Sequence, residues 1–285
     1  MINIIFFCNW GESPDQILQR YRRQTPGCSG IWKDLKGVTD LDEADVIIVL
    51  EGLEAGVEVD LTRSILIKRE PDFIEETRPN SFRDSLEWSE GNCGVVWWLS
   101  KTYDELMEMA YPVKSRVASC IVSAKHRHRN NFIKSLYGRR WFPSGQIASN
   151  MDLFGRGHSK IRFGNHYKGE LGENSNCKLS GLLPYQYTMV LENSRQQNYW
   201  TEKLADAYLS WCIPIYWGCP NISEFFSEDT YRVIGLDSSP ADINEIIKEP
   251  IDSAMVDQLG VERRKILNDY NIWEVVRKKI DSSFK

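Results

Sequence analysis

Apolar and polar positions alternate along this chain in short blocks, a pattern typical of strands that alternate with amphipathic helices. In the first third of the chain, short apolar runs bounded by charged or turn-forming residues predict buried strands. A helix pattern follows the first strand as far as Arg22, after a turn-rich segment. The apolar runs lie at Ile2–Cys8, Ala44–Leu50, Ser64–Lys68 and Val95–Leu99.

A second series of the same kind follows Tyr111-Pro112, a step that ends a predicted helix at 103–110. Thr102 and Glu105 have the spacing of a capping box at the start of that helix. Later strands are predicted at Arg116–Val122, Tyr187–Leu191 and Cys212–Trp217, and helices at Asn130–Leu136, Glu202–Trp211, Glu262–Asp269 and Ile272–Ile280. This order predicts an α/β protein with parallel sheets and two domains.

Composition narrows the range of functions that the chain could have. The 285 residues carry a net charge of −5, which argues against a general nucleic-acid binder because a phosphate backbone requires a positive surface. The seven cysteines are scattered without zinc-binding spacing, so we expect reduced thiols in a cytosolic protein and no metal site. No apolar run approaches membrane-spanning length, which leaves peripheral membrane contact and oligomeric state open.

The segment from Tyr187 to Phe226 carries the clearest chemistry. Its pattern is a strand, a polar loop, a helix that opens at Thr201-Glu202-Lys203, and a second strand closed by Gly218. Thr201 can cap the helix, and the amide groups and macrodipole then face whatever docks there. Such a helix start favours the binding of an anion.

The same segment resembles the donor-binding signature of glycosyltransferase family 10, the α1,3/1,4-fucosyltransferases. The resemblance rests on Glu192-Asn193-Ser194, Tyr199, Thr201-Glu202-Lys203-Leu204 and Ile213–Gly218, and extends more weakly to 123–136, 152–157 and 264–273. It implies a GT-B fold, in which two Rossmann-like domains face a central cleft. We expect an acceptor domain at 1–112, a donor domain at 113–270 and a returning terminal helix at 271–285, as in soluble bacterial or viral members of the family.

The resemblance also implies roles for residues of the donor domain. Lys203 stabilises the departing diphosphate and Glu202 accepts hydrogen bonds from donor sugar hydroxyls, while Arg129 binds the diphosphate. The donor set is completed by Arg156, Lys160, Glu192, Asn193, Ser194, Tyr199 and Thr201, with Arg162 as an alternative to Arg156 and Lys160.

Each of these residues also has a plainer interpretation. Lys203 could be a solvated helix lysine paired with Asp206, and Glu192 could belong to a turn. Tyr199 could pack on the helix instead of contacting the nucleotide. The segment around Arg129 could be a solvated basic face, and His126 and His128 lack a third metal ligand.

Inverting transfer needs a carboxylate that takes the acceptor proton. In the family this acid lies in a Glu-Ser-Pro-like segment after an apolar strand, and here Glu70 directly precedes Pro71 after such a strand. Glu70 is therefore our candidate base, although the serine is absent. Glu51 and Asp72 are lesser candidates. Trp10 and Trp97-Trp98 are candidates for stacking on acceptor sugar rings.

The resemblance implies metal-independent transfer of L-fucose from GDP-β-L-fucose to a glycan that contains N-acetylglucosamine or glucose, with an α1,3 linkage. A different nucleotide deoxysugar, or a catalytically silent binding protein on the same fold, stays open. A dehydrogenase is disfavoured because Asn9–Pro14 is not a G-x-G-x-x-G segment.

Overall fold

The computed structural model describes residues 1–71, 82–137, 150–172 and 175–284, with the side chains of 175–177 left out. Asp72, a lesser candidate for the base, lies outside the described residues.

The N-terminal half is built on a sheet in which β1 lies near the centre and β2 and β6 form the edges. Its strands pair in parallel except for the antiparallel β2–β3 pair. The order across the sheet is β2-β3-β1-β4-β5-β6. The strands are β1 Ile2–Cys8, β2 Ile31–Trp32, β3 Leu35–Gly37, β4 Val46–Leu50, β5 Ser64–Lys68 and β6 Asp84–Glu87.

The C-terminal half carries a second sheet, and every strand pairing described in it is parallel. The order across it is β12-β11-β10-β7-β8-β9. β10 lies between β7 and β11, near the centre of the sheet. Open α/β sheets bind ligands outside the carboxyl ends of their strands, so the end of β10 is a candidate position for a ligand. The strands are β7 Arg116–Ile121, β8 Met151–Phe154, β9 Tyr167–Gly169, β10 Tyr185–Leu191, β11 Ile213–Trp217 and β12 Arg232–Val233.

Helices cover both sheets. In chain order they are α1 Pro14–Tyr21, α2 Tyr103–Glu108, α3 Arg127–Leu136, α4 Lys160–Phe163, α5 Ser175–Ser180, α6 Glu202–Leu209, α7 Pro240–Ile246, α8 Ser253–Asn268 and α9 Ile272–Ser283. Within the described ranges, no helix has both the length and the apolar character that a membrane span requires.

The last helix packs on the N-terminal sheet although it follows the C-terminal half in sequence. Trp273 is fully buried against Phe6, and its indole nitrogen donates to the carbonyl of Tyr21 at 2.9 Å. The side chain of Asn271 donates to the carbonyl of Gln24 at 2.8 Å. These contacts join the two halves, while the exact domain limits at 112 and 270 stay a prediction.

The structure confirms the main strands and the capping box at Thr102 and Glu105. The helix that contains Arg129 begins at Arg127, earlier than predicted, and the apolar run at 95–99 forms no strand, only a bridge from Val95 to Asn271. The six cysteines with described side chains are free thiols, and a cytosolic location stays a prediction.

Candidate functional site

The centre of the site is the junction between the end of β10 and the start of α6. Glu192, the first residue after β10, is fully buried. Its carboxylate accepts hydrogen bonds from the backbone amide of Thr201 at 2.9 Å and from the Thr201 hydroxyl at 2.7 Å. The ammonium group of Lys203 lies 3.3 Å from the same carboxylate. One buried acid therefore ties the strand end to the helix start.

Gly218 makes room for this acid. A Cβ atom at position 218 would lie 2.6 Å from Cγ of Glu192 and 2.5 Å from the hydroxyl of Tyr216. Side-chain carbon atoms do not approach so closely, so the glycine that closes β11 allows the carboxylate to pack behind the helix.

Thr201 caps α6 as predicted, since its hydroxyl accepts from the backbone amide of Lys203. The Lys203 ammonium also lies 3.0 Å from that hydroxyl and 3.3 Å from the carboxylate of Glu202. The alternative pairing of Lys203 with Asp206 is wrong. Asp206 is fully buried, pairs with Lys178 and accepts a hydrogen bond from the backbone amide of Trp98 at 3.0 Å.

The electrostatics of this cluster keep Lys203 charged. Burial acts against the ammonium ion, but Glu202 and Glu192 raise the pKa of Lys203 above its usual value. Burial favours a neutral Glu202, but Lys203 and Lys178 outweigh it and lower the pKa of Glu202 to about 2. Burial raises the pKa of Glu192, against the opposing effects of Lys203 and Thr201. Lys203 therefore keeps its charge at the start of α6, beside the carboxylates of Glu192 and Glu202, and its side chain is 23% exposed.

Arg129 lies behind this cluster in the first turn of α3. It is 5% exposed, and its guanidinium donates to the carbonyl of Leu191, the last residue of β10, at 3.1 Å. Among the described residues its Nε atom has no hydrogen-bond partner. A solvated basic face therefore does not describe Arg129, although the neighbouring Lys125 and Arg127 are exposed.

The two histidines of this segment lie close together, with ring centres 6.1 Å apart. Burial and Arg129 lower the pKa of both His126 and His128. His128 also packs against the ring of Trp217 at 5.5 Å. In the part of the chain that the structure describes, no group of three or more potential ligand side chains could hold a metal ion.

The loop after β8 packs tightly on the loop after β7. Gly155 has a φ of +133°, and a Cβ atom there would lie 1.9 Å from the carbonyl oxygen of Val122. The amide of Ala124 donates to the carbonyl of Arg156 at 2.9 Å. The side chains of Arg156, Lys160 and Arg162 are all exposed.

Asn193 and Ser194 are partly exposed in the loop between Glu192 and Tyr199. Tyr199 is almost fully buried, and its hydroxyl crosses to the N-terminal half, where it donates to the carboxylate of Glu70 at 2.7 Å. The structure therefore brings the candidate base and the donor-binding segment into contact, which no local sequence pattern could indicate.

Glu70 follows β5 in a loop that Glu51 holds. The Glu51 carboxylate accepts from the backbone amide of Arg69 at 2.9 Å and from that of Glu70 at 3.5 Å, and it forms an ion pair with the Arg69 guanidinium. Glu51 itself has a left-handed backbone, with a φ of +62°. The Glu51 carboxylate is therefore occupied by contacts that hold the loop, while Glu70 lines the cavity. Burial raises the pKa of Glu70, and Tyr199 and Lys203 oppose this shift.

A cavity of about 490 Å³ lies between the two halves. Trp10 and Trp98 line it, with exposed fractions of 37% and 53%, and an arginine lies over each indole: Arg69 over Trp10 and Arg20 over Trp98. The other lining residues are Glu12, Tyr21, Glu70, Trp88, Gly91–Val96 and Asn198–Glu202.

Trp97 does not line this cavity, which corrects its assignment to the acceptor side. It is 5% exposed in the C-terminal core, and its indole nitrogen donates to the carbonyl of Lys101 at 3.1 Å. Adjacent residues of an extended segment point in opposite directions, so Trp98 faces the cavity instead. Trp88 and Arg20 were missed because neither belongs to a recognisable motif.

Comparisons with known proteins agree with this geometry. Residues 111–249 match the model of the glycosyltransferase family 10 (fucosyltransferase) C-terminal domain. A 68-residue segment is 37% identical to the alpha-(1,3)-fucosyltransferase FucT of Helicobacter pylori, and it spans 24% of this chain and 14% of that relative.

Solved structures extend the similarity to the whole fold. A crystal structure of an α1,3-fucosyltransferase aligns with 99% of this chain and 89% of its own, at a TM-score of 0.56 and 16% identity. A crystal structure of an α1,3-fucosyltransferase with GDP-fucose aligns with 95% of this chain and 92% of its own, at a TM-score of 0.52 and 16% identity. A DNA-modifying β-glucosyltransferase aligns with 99% of both chains at a TM-score of 0.51 and 11% identity. The predicted GT-B fold is confirmed.

Replacing Glu192 with glutamine tests the central junction. Glutamine keeps the shape but turns an amide donor toward Thr201 or Lys203, so two donors then face each other in a buried place. We expect the free energy of unfolding to fall by about 1–3 kcal/mol, the cost of leaving a buried polar group unsatisfied. Urea denaturation measures this loss. Glu228→Gln, at an exposed glutamate, is the control, and equal stability of both variants would contradict the role of Glu192.

Proposed function

Because residues 111–249 match the C-terminal model of glycosyltransferase family 10, we propose that the chain is an inverting α1,3-fucosyltransferase that moves L-fucose from GDP-β-L-fucose to a glycan hydroxyl. The observation that carries this proposal is the pair of carboxyl strand ends across one cavity. Thr201 and Glu202, at the start of α6 and next to Lys203, line one side of this cavity, and Glu70 lines the other.

On the donor side, the proposed binding site of the GDP diphosphate is the start of α6. Backbone amides at a helix start favour an anion, and Lys203 adds a full positive charge there. The buried Arg129, which lies behind the end of β10, adds a second. As the sugar–phosphate bond breaks, negative charge grows on the leaving GDP, and preorganised cations lower the energy of that state.

Glu192 is assigned an indirect role in donor binding. Its carboxylate is buried and is occupied by Thr201 and Lys203, so it holds the groups that meet the diphosphate. Glu202 is partly exposed and lines the cavity, which suits a carboxylate that accepts hydrogen bonds from donor sugar hydroxyls.

On the acceptor side, Glu70 is the proposed base. The acceptor oxygen forms a bond to C1 of the fucose as the bond from C1 to the phosphate oxygen breaks. The electron pair of that broken bond leaves with GDP, and the proton of the acceptor hydroxyl passes to the Glu70 carboxylate. Trp10 and Trp98 offer indole faces on which a sugar ring can stack.

Lys203→Ala tests the donor side. Loss of the charge should weaken GDP binding about tenfold to a hundredfold, as for a charged hydrogen bond, and lower kcat/KM for fucose transfer by two to three orders of magnitude. Calorimetry with GDP and a transfer assay measure the two effects. Lys248→Ala, at an exposed lysine elsewhere, is the control. Unchanged GDP affinity in Lys203→Ala would remove the diphosphate from this site.

Glu70→Gln tests the base. The variant keeps its size but accepts no proton, so we expect kcat to fall by about two to four orders of magnitude while GDP affinity stays within about twofold. The exposed Glu58→Gln serves as the control. Transfer at the parent rate in Glu70→Gln would assign the base to another residue, and GDP binding without transfer in the parent chain would instead favour a silent binding protein.

A further inference from the structure

The contact between Tyr199 and Glu70 joins the two halves at the point where the proposed chemistry occurs. The Tyr199 side chain is 1% exposed, so its hydroxyl has little access to bulk water. That hydroxyl donates to Oε2 of Glu70 at 2.7 Å.

The loop that carries Tyr199 is braced on both sides of the cleft. Asn198 has a left-handed backbone with a φ of +62°, a conformation that asparagine tolerates better than most residues. Its backbone amide donates to the side chain of Asn221 at 2.8 Å, and the Asn221 amide donates back to the Asn198 side chain at 2.8 Å. The Asn198 side chain also donates to the carbonyl of Ser89 in the N-terminal half at 2.9 Å.

These contacts hold the Tyr199 hydroxyl in one place. We propose that Tyr199 is a positioning residue for the base: its hydroxyl holds one oxygen of Glu70 and leaves the other to receive the acceptor proton. This inference rests on the proposed role of Glu70. Because Tyr199 lies two residues before Thr201 in the donor-binding segment, the base takes its orientation from the loop that binds the donor.

The same hydrogen bond also affects the pKa of Glu70. A donor to a carboxylate stabilises the ionised form, so the Tyr199 hydroxyl lowers the pKa of Glu70 against the effect of burial. Burial and the adjacent Glu70 raise the pKa of Tyr199, which keeps the phenol protonated as a donor. The other charged groups that act on Glu70 are Lys203, Glu202, Glu51 and Arg69.

Tyr199→Phe removes the hydroxyl and keeps the ring. We expect the pKa of Glu70 to rise by about one unit, because the ionised carboxylate loses a hydrogen bond. Carbon-13 NMR of labelled glutamate carboxyl groups measures this pKa, and Glu70→Gln identifies the signal. Tyr187→Phe is the matched control, since that buried tyrosine donates to the carbonyl of Glu249 instead.

Transfer kinetics give a second readout. The acidic limb of the pH profile of kcat/KM should move up by the same amount in Tyr199→Phe, since a base with a raised pKa needs a higher pH to ionise. GDP affinity should stay within about twofold of the parent. If the pKa of Glu70 does not move in Tyr199→Phe, the positioning role is overturned. If GDP binding is also weaker in that variant, Tyr199 is instead a contact of the nucleotide.

The parent chain offers a test that needs no folded Tyr199→Phe variant. The buried hydroxyl proton of Tyr199 should exchange slowly and resonate downfield, and Glu70→Ala should abolish that signal. Persistence of the signal would overturn the inference. A parent transfer rate in Glu70→Gln would overturn the proposed base together with this role, whereas a slow Glu70→Gln and an unmoved pKa would overturn the role of Tyr199 alone.

Discussion

The site depends on one buried carboxylate. An ionised Glu192 in a fully buried place is costly unless donors surround it, and here Thr201 supplies two and Lys203 a third. The same contacts cap α6 and hold the lysine close to the helix start. A single acid thereby holds the start of the helix and the lysine in one arrangement, and Gly218 leaves the space that this acid needs.

Each half of the fold makes contacts that hold part of the other half, and these contacts define the shape of the cleft between them. The last helix, α9, belongs to the core of the N-terminal sheet although it follows the C-terminal half. The buried Asp206 of α6 accepts a hydrogen bond from the backbone of Trp98, which places that indole at the cavity. Burial raises the pKa of Asp206 to about 6, although Lys178 opposes this shift. The helix that carries Lys203 thus also positions the part of the cavity wall that Trp98 forms.

Much of this architecture could be predicted from local pattern. The apolar runs and their turn signals located the strands that build both sheets, and Thr201 could be recognised as a helix cap because capping depends on neighbours in sequence. The motif between Glu192 and Lys203 indicated the family whose C-terminal model matches residues 111–249, because its spacing lies within one strand–helix unit.

The partners of charged and aromatic side chains could not be predicted in this way. The partner of Asp206 is Lys178, in a separate helix, and not the nearby Lys203 that the sequence spacing offered as an alternative. Tyr199 and Glu70 are 129 positions apart and meet through the packing of two domains. Which of two adjacent tryptophans faces the cavity depends on the exact register of an irregular segment, which hydrophobicity alone does not specify.

We propose that the start of α6, with Lys203 held by Glu192, binds the diphosphate of GDP. Calorimetric titration of the parent chain with GDP and with guanosine measures this most directly, because the two ligands differ only in the diphosphate. We expect GDP to bind about a hundredfold or more tightly than guanosine, because Lys203 and Arg129 would each make a charge-assisted contact to the diphosphate. Equal affinities for the two ligands, or no binding of GDP, would contradict it.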